Sequence, residues 1–316
     1  MAETAGSMAI GVCTYNRGKR IVEALEALTG LDTAGGRLRR IIVIENNCSD
    51  ETPEAVEAFA QSGPPVAVEL WHEPAPGKSE ALRRYFTGAV EDVLGLVDDD
   101  VLVEADWASR ALDALDANER AGAVGGQVEC RWESGPTPMA IKYRQSFGEQ
   151  RRGEAPLALD RPVDFLVGAA VAYRRRAIHD SGWLDRGRLT TTRTGGAMLT
   201  GEDVELCVRM ARAGWALRYE PAMRATHLIP ARRQSRAYIA RHREAICRAF
   251  PMLEWLAAGE PGADWARPEL RRARRRWMKS VLTDWRPRRR AIRLGERRGR
   301  LAGWRDVMEA IAARSA

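Results

Sequence analysis

The strongest constraint on this chain is the rhythm of its first hundred residues. Apolar runs at Met8–Cys13, Arg40–Glu45, Val66–Trp71 and Val93–Val97 alternate with stretches of helical periodicity. The run RIIVIE (Arg40–Glu45) is continuous and β-branched, as in a parallel strand covered on both faces. Between the runs, Asn16 reads as the N-cap of a helix carrying Ile21, Leu25 and Leu28 and stopped near Gly30. Thr52-Pro53-Glu54 offers a cap, a first-turn proline and an acid for a second helix ending near Gly63, and Ser79–Glu91 reads as a third. Strand–helix alternation of this kind implies an α/β fold with a parallel sheet, whose ligands bind beyond the strand carboxyl ends. Tyr15, Glu45, Lys78 and the triplet Asp98-Asp99-Asp100 all fall at such ends.

The later pattern is looser. Ala121–Glu129 and Val163–Tyr173 read as strands, Gly187–Gly201 as a flexible loop, and Glu202–Ala213 as a helix closed at Gly214. Leu217–Glu220 and Arg224–Leu228 read as two short strands, and from Ser235 onward helices with proline breaks at Pro251, Pro261, Pro268 and Pro287 are expected.

Charge divides the chain. The formal net charge is +7, yet residues 267–316 alone carry 17 basic and five acidic side chains, leaving the first 266 residues at −5. With 45% hydrophobic and 29% charged residues, disorder is excluded. The longest apolar run, about Phe165–Tyr173, is too short to span a membrane, and the acidic start Met1–Ser7 has no secretory n-region. Five cysteines without a C-x-x-C pair argue for reduced thiols in a cytoplasmic protein. Four lysines against 46 arginines reflect genome composition more than guanidinium-specific contacts.

Three adjacent carboxylates at the end of a buried strand repel one another and call for a cation or several donors. On an extended strand Asp98 and Asp100 would share a face, suited to Mg2+ or Mn2+; the competing reading is a solvated acidic turn. Gly201-Glu202-Asp203 opens a helix, where acids serve either the helix dipole or a general base at the mouth of a site. Pro76-Gly77-Lys78-Ser79 suggests a phosphate loop, but the first glycine of that pattern is replaced by His72, which leaves only a lysine near phosphates. His227 is either a late metal ligand or a structural histidine.

Taken in order, TYNRGKR (14–20), VIENNCSDET (43–52), PGKSEAL (76–82), LVDDDV (96–101), VGAAVAYRR (167–175), GWLD (182–185), GEDVELCVRMARAGW (201–215) and YEPAMRATH (219–227) resemble the family 2 glycosyltransferases, inverting enzymes of the GT-A fold. The resemblance covers roughly residues 8–230. It implies a Rossmann-like nucleotide-binding half (about 8–120) and an acceptor half (121–232) on a mixed central sheet. Residues 233–316 would form a helical, Arg/Trp-rich extension. By the same resemblance Thr14, Tyr15, Asn16, Glu45, Lys78, Asp98 and Asp99 would bind the nucleotide sugar. Asp100, with Asp98 and His227, would hold Mn2+ or Mg2+ at the diphosphate. Asp203 would be the base, with Glu202, Gly168 and Trp183 orienting the acceptor. Glu45 stands where an Asp is usual, Cys48 where a small Gly is common, and no Q-x-x-R-W motif follows Asp203, which disfavours a processive synthase.

The implied reaction moves one sugar from a nucleoside-diphosphate sugar, UDP being commonest, to a glycan, lipid-linked or small-molecule acceptor. Its rivals are a sugar nucleotidyltransferase, which lacks its G-x-G start here, and a nucleic-acid-binding protein acting through the tail. The clusters Arg271–Arg276 and Arg286–Arg290, interleaved with Trp277, Trp285 and Trp304, have three readings: packing on the body or a homodimer, a peripheral contact on the inner membrane face, and, least favoured, nucleic acid.

Overall fold

A computed structural model describes residues 6–185, 201–283 and 287–315. The expectations for Met1–Ala5, most of the Gly187–Gly201 loop, Trp285, Arg286 and the side chains of 287–289 fall outside the described residues. The chain opens with β1 (Met8–Thr14), a 3-10 turn at Gly18–Arg20 and α1 (Ile21–Thr29). Then follow β2 (Leu38–Glu45), α2 (Thr52–Gln61), β3 (Ala67–His72), α3 (Lys78–Gly88), β4 (Val93–Val97) and β5 (Val101–Val103). Next come α4 (Trp107–Asp116), β6 (Ala121–Trp132), α5 (Pro138–Lys142), β7 (Leu157–Leu159), β8 (Ala170–Arg174) and α6 (Arg175–Asp180). The remainder is α7 (Glu202–Arg212), β9 (Ala216–Ile229), α8 (Arg236–Ala257), α9 (Ala263–Thr283) and α10 (Pro287–Ser315).

One mixed sheet runs β3-β2-β1-β4-β8-β6-β9-β5, with β7 paired to β9. Its first four strands are parallel, and β8 enters antiparallel between β4 and β6. Residues Val93–Val97 are wholly buried, as the continuous apolar run required, between α1 and α4 on one face and α3 and α7 on the other. The parallel register aligns Thr14 with Glu45 and Glu45 with His72, so the strand ends form one rim.

Several local expectations are corrected. Asn16 caps no helix: at φ 50° it ties its loop to Ser49, accepting that residue's N–H at 2.8 Å. Thr52 is the first residue of α2 rather than its cap, because its hydroxyl is engaged elsewhere, accepting the N–H groups of Arg17 (2.9 Å) and Gly18 (2.7 Å). The third helix ends at Gly88, and of the stretch 163–173 only the part from Ala170 is strand, which runs on to Arg174. Leu217–Glu220 and Arg224–Leu228 belong to one strand, β9, whose register against β6 slips between Tyr219 and Arg224, around Pro221. Pro251 and Pro268 lie inside α8 and α9 without breaking them. For Pro251 the missing hydrogen bond is offset by packing, its ring lying on Gly303 of α10.

The basic tail is docked along α8. Gly295, Gly299 and Gly303 recur every fourth residue and face α8 so closely that a Cβ at Gly299 or Gly303 would come within 2.2 Å of the Glu244 or Arg248 carbonyl oxygen. The contacts climb both helices together, so α8 and α10 run parallel. Arg298–Glu244, Arg300–Glu254 (2.8 Å), Arg243–Glu296 (2.8 Å), Arg248–Asp306 (2.8 Å) and Arg314–Glu260 (2.9 Å) pair across the seam or beside it. Trp304 is buried with Trp255, Leu301 and Val307, and Trp277 packs on the same cluster. No helix among the described residues is long and apolar enough to cross a membrane.

Candidate active site

A cavity of about 870 Å3 opens at the carboxyl rim of the sheet, lined by Thr14–Arg17, Asn46, Asn47, Pro76–Lys78, Asp98–Asp100, Gly168, Trp183, Gly201–Asp203, His227 and one face of α8. Nearly every residue singled out from the sequence is brought to it. Glu45 is the exception. It lies buried behind the rim, accepting the Cys48 N–H at 3.0 Å and paired with His72, while its neighbours Asn46 and Asn47 face the cavity. Burial would push the Glu45 carboxyl up, but the Cys48 N–H and the His72 ring hold it below its ordinary value.

Asn46 sets the adjoining loop. Its amide donates to the carbonyls of Glu73 (2.9 Å) and Ala75 (2.7 Å), and its oxygen accepts the Gly77 N–H at 2.7 Å. That loop delivers Lys78, at the start of α3, into the cavity.

The triplet Asp98–Asp100 forms a turn, the Val101 N–H closing on the Asp98 carbonyl at 3.0 Å. The extended geometry expected for it, with Asp98 and Asp100 on one face, is therefore corrected. The turn sends the carboxylates apart. Asp98 pairs with Lys78 (2.6 Å), Asp99 accepts from Thr14 (2.8 Å) and Arg17 (2.6 Å), and Asp100 meets Arg17 (2.7 Å), Arg233 (3.1 Å) and His227 (3.2 Å). Strand pairing explains the last contact, because β5 lies antiparallel to β9 with Val101 opposite His227.

Burial alone would raise the Asp100 pKa, but His227, Arg233 and Arg17 hold it far below the usual carboxylate range. Asp99 is pushed up, by burial first and by the Asp100 charge as well, despite Arg17. Burial would lower Lys78, yet the Asp98 and Glu202 charges raise it well above an ordinary lysine. The Cys13 thiol on the cavity wall is pushed up to about 12 by burial and is no nucleophile at neutral pH.

The second acidic pair is held by backbone. Asp203 accepts the N–H of Gly168 at 3.0 Å and of Val204 at 2.9 Å, and Glu202 accepts from Gly201 at 3.0 Å. A Cβ at Gly168 would lie 2.8 Å from the Asp203 Cβ, so this approach needs glycine. Burial raises both carboxyls above their ordinary values, with the neighbouring charges of Asp203 on Glu202 and Asp98 on Asp203 adding to it and Lys78 opposing.

The residues that sequence reasoning missed are Arg17 and Arg233 as partners of the triplet, Asn46, and the cavity face of α8. Arg17 stood inside TYNRGKR, and the α8 face was readable as a helical repeat, but what each would meet was not.

The Asp100–His227 corner suits a hard cation. Both ring nitrogens of His227 are buried without a well-formed hydrogen bond, Nε2 lying 3.2 Å from Asp100 Oδ1, while Asp100 Oδ2 is ion-paired with Arg17 and Arg233. Among the described residues no third carboxylate, thiol or imidazole completes a cage. One carboxylate and one imidazole fit a cation that takes its remaining ligands from a substrate's oxygens and water.

Comparison with known proteins agrees with this geometry. The family model described as "Glycosyltransferase like family 2" matches residues 5–247. Over 207 residues the chain is 28% identical to the pre-mycofactocin glycosyltransferase of Mycobacterium tuberculosis, a match covering 64% of this chain and 40% of that protein. The chain thus spans about two fifths of that relative's length. It is 27% identical over 244 residues to the succinoglycan biosynthesis protein ExoM of Rhizobium meliloti, covering 74% of this chain and 71% of that one. Among solved structures, the mannosyltransferase PcManGT from Pyrobaculum calidifontis, in complex with GDP-Man and Mn2+, aligns with a TM-score of 0.55 at 19% identity over 98% of this chain and 88% of that chain. GalNAc-T7 with UDP, GalNAc and Mn2+ aligns at 0.54 with 14% identity, over 70% of this chain and 43% of that chain. At such identities the structural likeness speaks for the fold, which is that of the GT-A glycosyltransferases with added C-terminal helices.

Proposed function

Because the chain belongs to the family 2-like glycosyltransferases, we propose that it is an inverting enzyme moving one sugar from a nucleoside-diphosphate sugar, UDP-linked by preference, to a hydroxyl acceptor. The acceptor in this reading is a cell-envelope glycan or a lipid-linked sugar. One observation carries it: a single cavity holds a carboxylate turn neutralised by cations and, beside it, a half-buried aspartate anchored by backbone N–H groups.

Thr14, Tyr15, Asn16, Asn46 and Asn47 line the base and ribose end, with Asp98 and Asp99 on the ribose side. Glu45 acts from behind, by holding the Cys48 loop. Arg17, Lys78 and Arg233 sit where a diphosphate needs counter-charge, and guanidinium forks match phosphate oxygens. Asp100 and His227 would hold Mn2+ or Mg2+, while Asp98, expected from the sequence as a further ligand, is turned to Lys78 instead. Such a cation, when bound, stabilises the negative charge developing on the departing diphosphate.

Asp203 takes the acceptor's hydroxyl proton. The acceptor oxygen forms its bond to the anomeric carbon as the bond from that carbon to the phosphate oxygen breaks, and the electron pair leaves with the nucleoside diphosphate. A single displacement inverts the anomeric centre. Glu202, Gly168 and Trp183 orient the acceptor and the base. Burial raises the proton affinity of both Glu202 and Asp203, which makes each a better proton acceptor than an exposed carboxylate.

Residues 1–232 make up the transferase domain in this reading and 233–316 its helical extension, with α8 serving the site. The work is done at the cytoplasmic face. The outer side of α9 exposes Met278, Val281 and Leu282 among arginines, which supports a peripheral membrane contact. Titrating a panel of nucleotide sugars with and without Mn2+, followed by NMR of the transferred sugar's anomeric proton, tests the function. Metal-strengthened binding of one donor and an inverted product are expected; retention of configuration, or no nucleotide-sugar binding, contradicts it.

A further inference from the structure

The cavity continues past Asp203 along a wall that the donor and the base do not use. That wall is one face of α8, on which Tyr238, His242, Ile246, Phe250 and Leu253 recur at three- and four-residue spacing. Its character changes along the helix. At the N-terminal end the Tyr238 and His242 rings stack with centroids 5.8 Å apart, and His242 Nε2 lies 2.6 Å from the Ser146 carbonyl oxygen. From Ile246 onward, no side chain on this face offers a hydrogen bond.

The apolar stretch begins beside the proposed base. Val204, the residue after Asp203, packs on Ala249 and Leu253, with Phe165 against the same cluster. Ile246 and Phe250 nevertheless stay partly exposed to the cavity. They have no freedom to turn inward, because α10 is pressed against α8 through Gly295, Gly299 and Gly303. A rigid helix thus keeps large apolar side chains wetted next to the reacting centre, an arrangement suited to an apolar ligand surface.

We propose that this wall is an acceptor subsite for an apolar group, so that the acceptor carries an aliphatic or aromatic moiety next to the hydroxyl that receives the sugar. The inference rests on the glycosyltransferase reading and sharpens its acceptor class. A bare sugar presents hydroxyls that need side-chain donors and acceptors, and this stretch supplies none.

The test uses methyl, phenyl and n-octyl β-D-glucoside, the last below its micelle concentration, with saturation-transfer NMR on the full chain. Phenyl or octyl glucoside should bind at least about tenfold more tightly than methyl glucoside. The tighter of the two tells an aromatic from an aliphatic source. Phe250→Asn and Ile246→Asn should each weaken that binding about tenfold or more, while Phe250→Leu keeps the octyl compound and a wild-type melting temperature. Equal affinity for methyl glucoside, no binding of either apolar probe, or indifference to Phe250→Asn and Ile246→Asn overturns the proposal. Titrating the same proteins with UDP and GDP separates the two ideas. Apolar-probe binding that depends on Phe250, without diphosphate binding, sinks the transferase reading and leaves the apolar subsite standing.

Discussion

Two groups of carboxylates face the same cavity and are treated in opposite ways. Asp98, Asp99 and Asp100 meet side-chain cations: Lys78, a shared Arg17, and Arg233, with His227 beside Asp100. Glu202 and Asp203, at the start of α7, receive mainly backbone N–H groups, from Gly201 and Val204 beside them and from Gly168 ahead of β8. The consequence is a split in proton affinity. Asp100 is held far below the normal range, whereas burial lifts Glu202 and Asp203 above theirs, and within the first group Asp99 as well. A carboxylate that stays ionised suits a cation and a polyanionic donor; one that readily accepts a proton suits a base. In the proposed reading the same residue type takes two tasks according to its surroundings.

The largest effect expected from breaking this division is at Asp203. Asp203→Asn should lower transfer by about 10²- to 10⁴-fold, the usual worth of a general base, in a sugar-transfer assay. Wild-type turnover would mean that the base lies elsewhere. Gly168→Ala should follow, with a loss of up to about 100-fold in turnover and little change in nucleotide affinity, because the added methyl displaces Asp203 without touching the donor side. A fall in nucleotide affinity as large as that in turnover would show that the two clusters are not separable.

The pH profile sharpens the same point. The base must be ionised to act, so turnover should drop as pH falls, along a limb above the ordinary aspartate value of 3.8 because burial raises Asp203. A limb at that ordinary value would show that Asp203 is not desolvated during turnover. The smallest effect on this profile is expected of Lys78→Met, which should also weaken nucleotide binding through the lost counter-charge. Lys78 opposes the rise at both Glu202 and Asp203, so its loss should move the limb to still higher pH. An unmoved limb would remove Lys78 from the electrostatics of the base.

The parallel half of the sheet was legible because each strand there is an apolar run buried on both faces, a pattern that needs no tertiary knowledge. Lys78, Asp98–Asp100, Asp203 and His227 could be nominated because strand ends and helix starts are where such folds keep chemistry. What failed to be legible depended on distant partners. The Asp98–Asp100 turn, rather than a strand, goes with partners brought from distant parts of the chain: Lys78, a shared Arg17 and Arg233. Glu45 is drawn behind the rim by His72, its register partner on the edge strand β3. For the arginine-rich tail the sequence left packing on the body or a homodimer open beside a membrane contact, and although its glycines recur at every fourth position, only the structure shows the seam they make against α8. That seam is also why the acceptor-side wall was unreadable: the α8 periodicity shows that one face is special, not that a second helix turns it toward the cavity.

The division of labour between the two clusters is tested most directly by calorimetric titration of a nucleoside diphosphate with and without Mn2+. Wild type, Asp100→Asn and Asp203→Asn are compared. Mn2+ should tighten binding by about tenfold or more in the wild type and in Asp203→Asn, and should have no effect in Asp100→Asn. A metal effect that survives Asp100→Asn, or one that disappears in Asp203→Asn, would contradict the assignment.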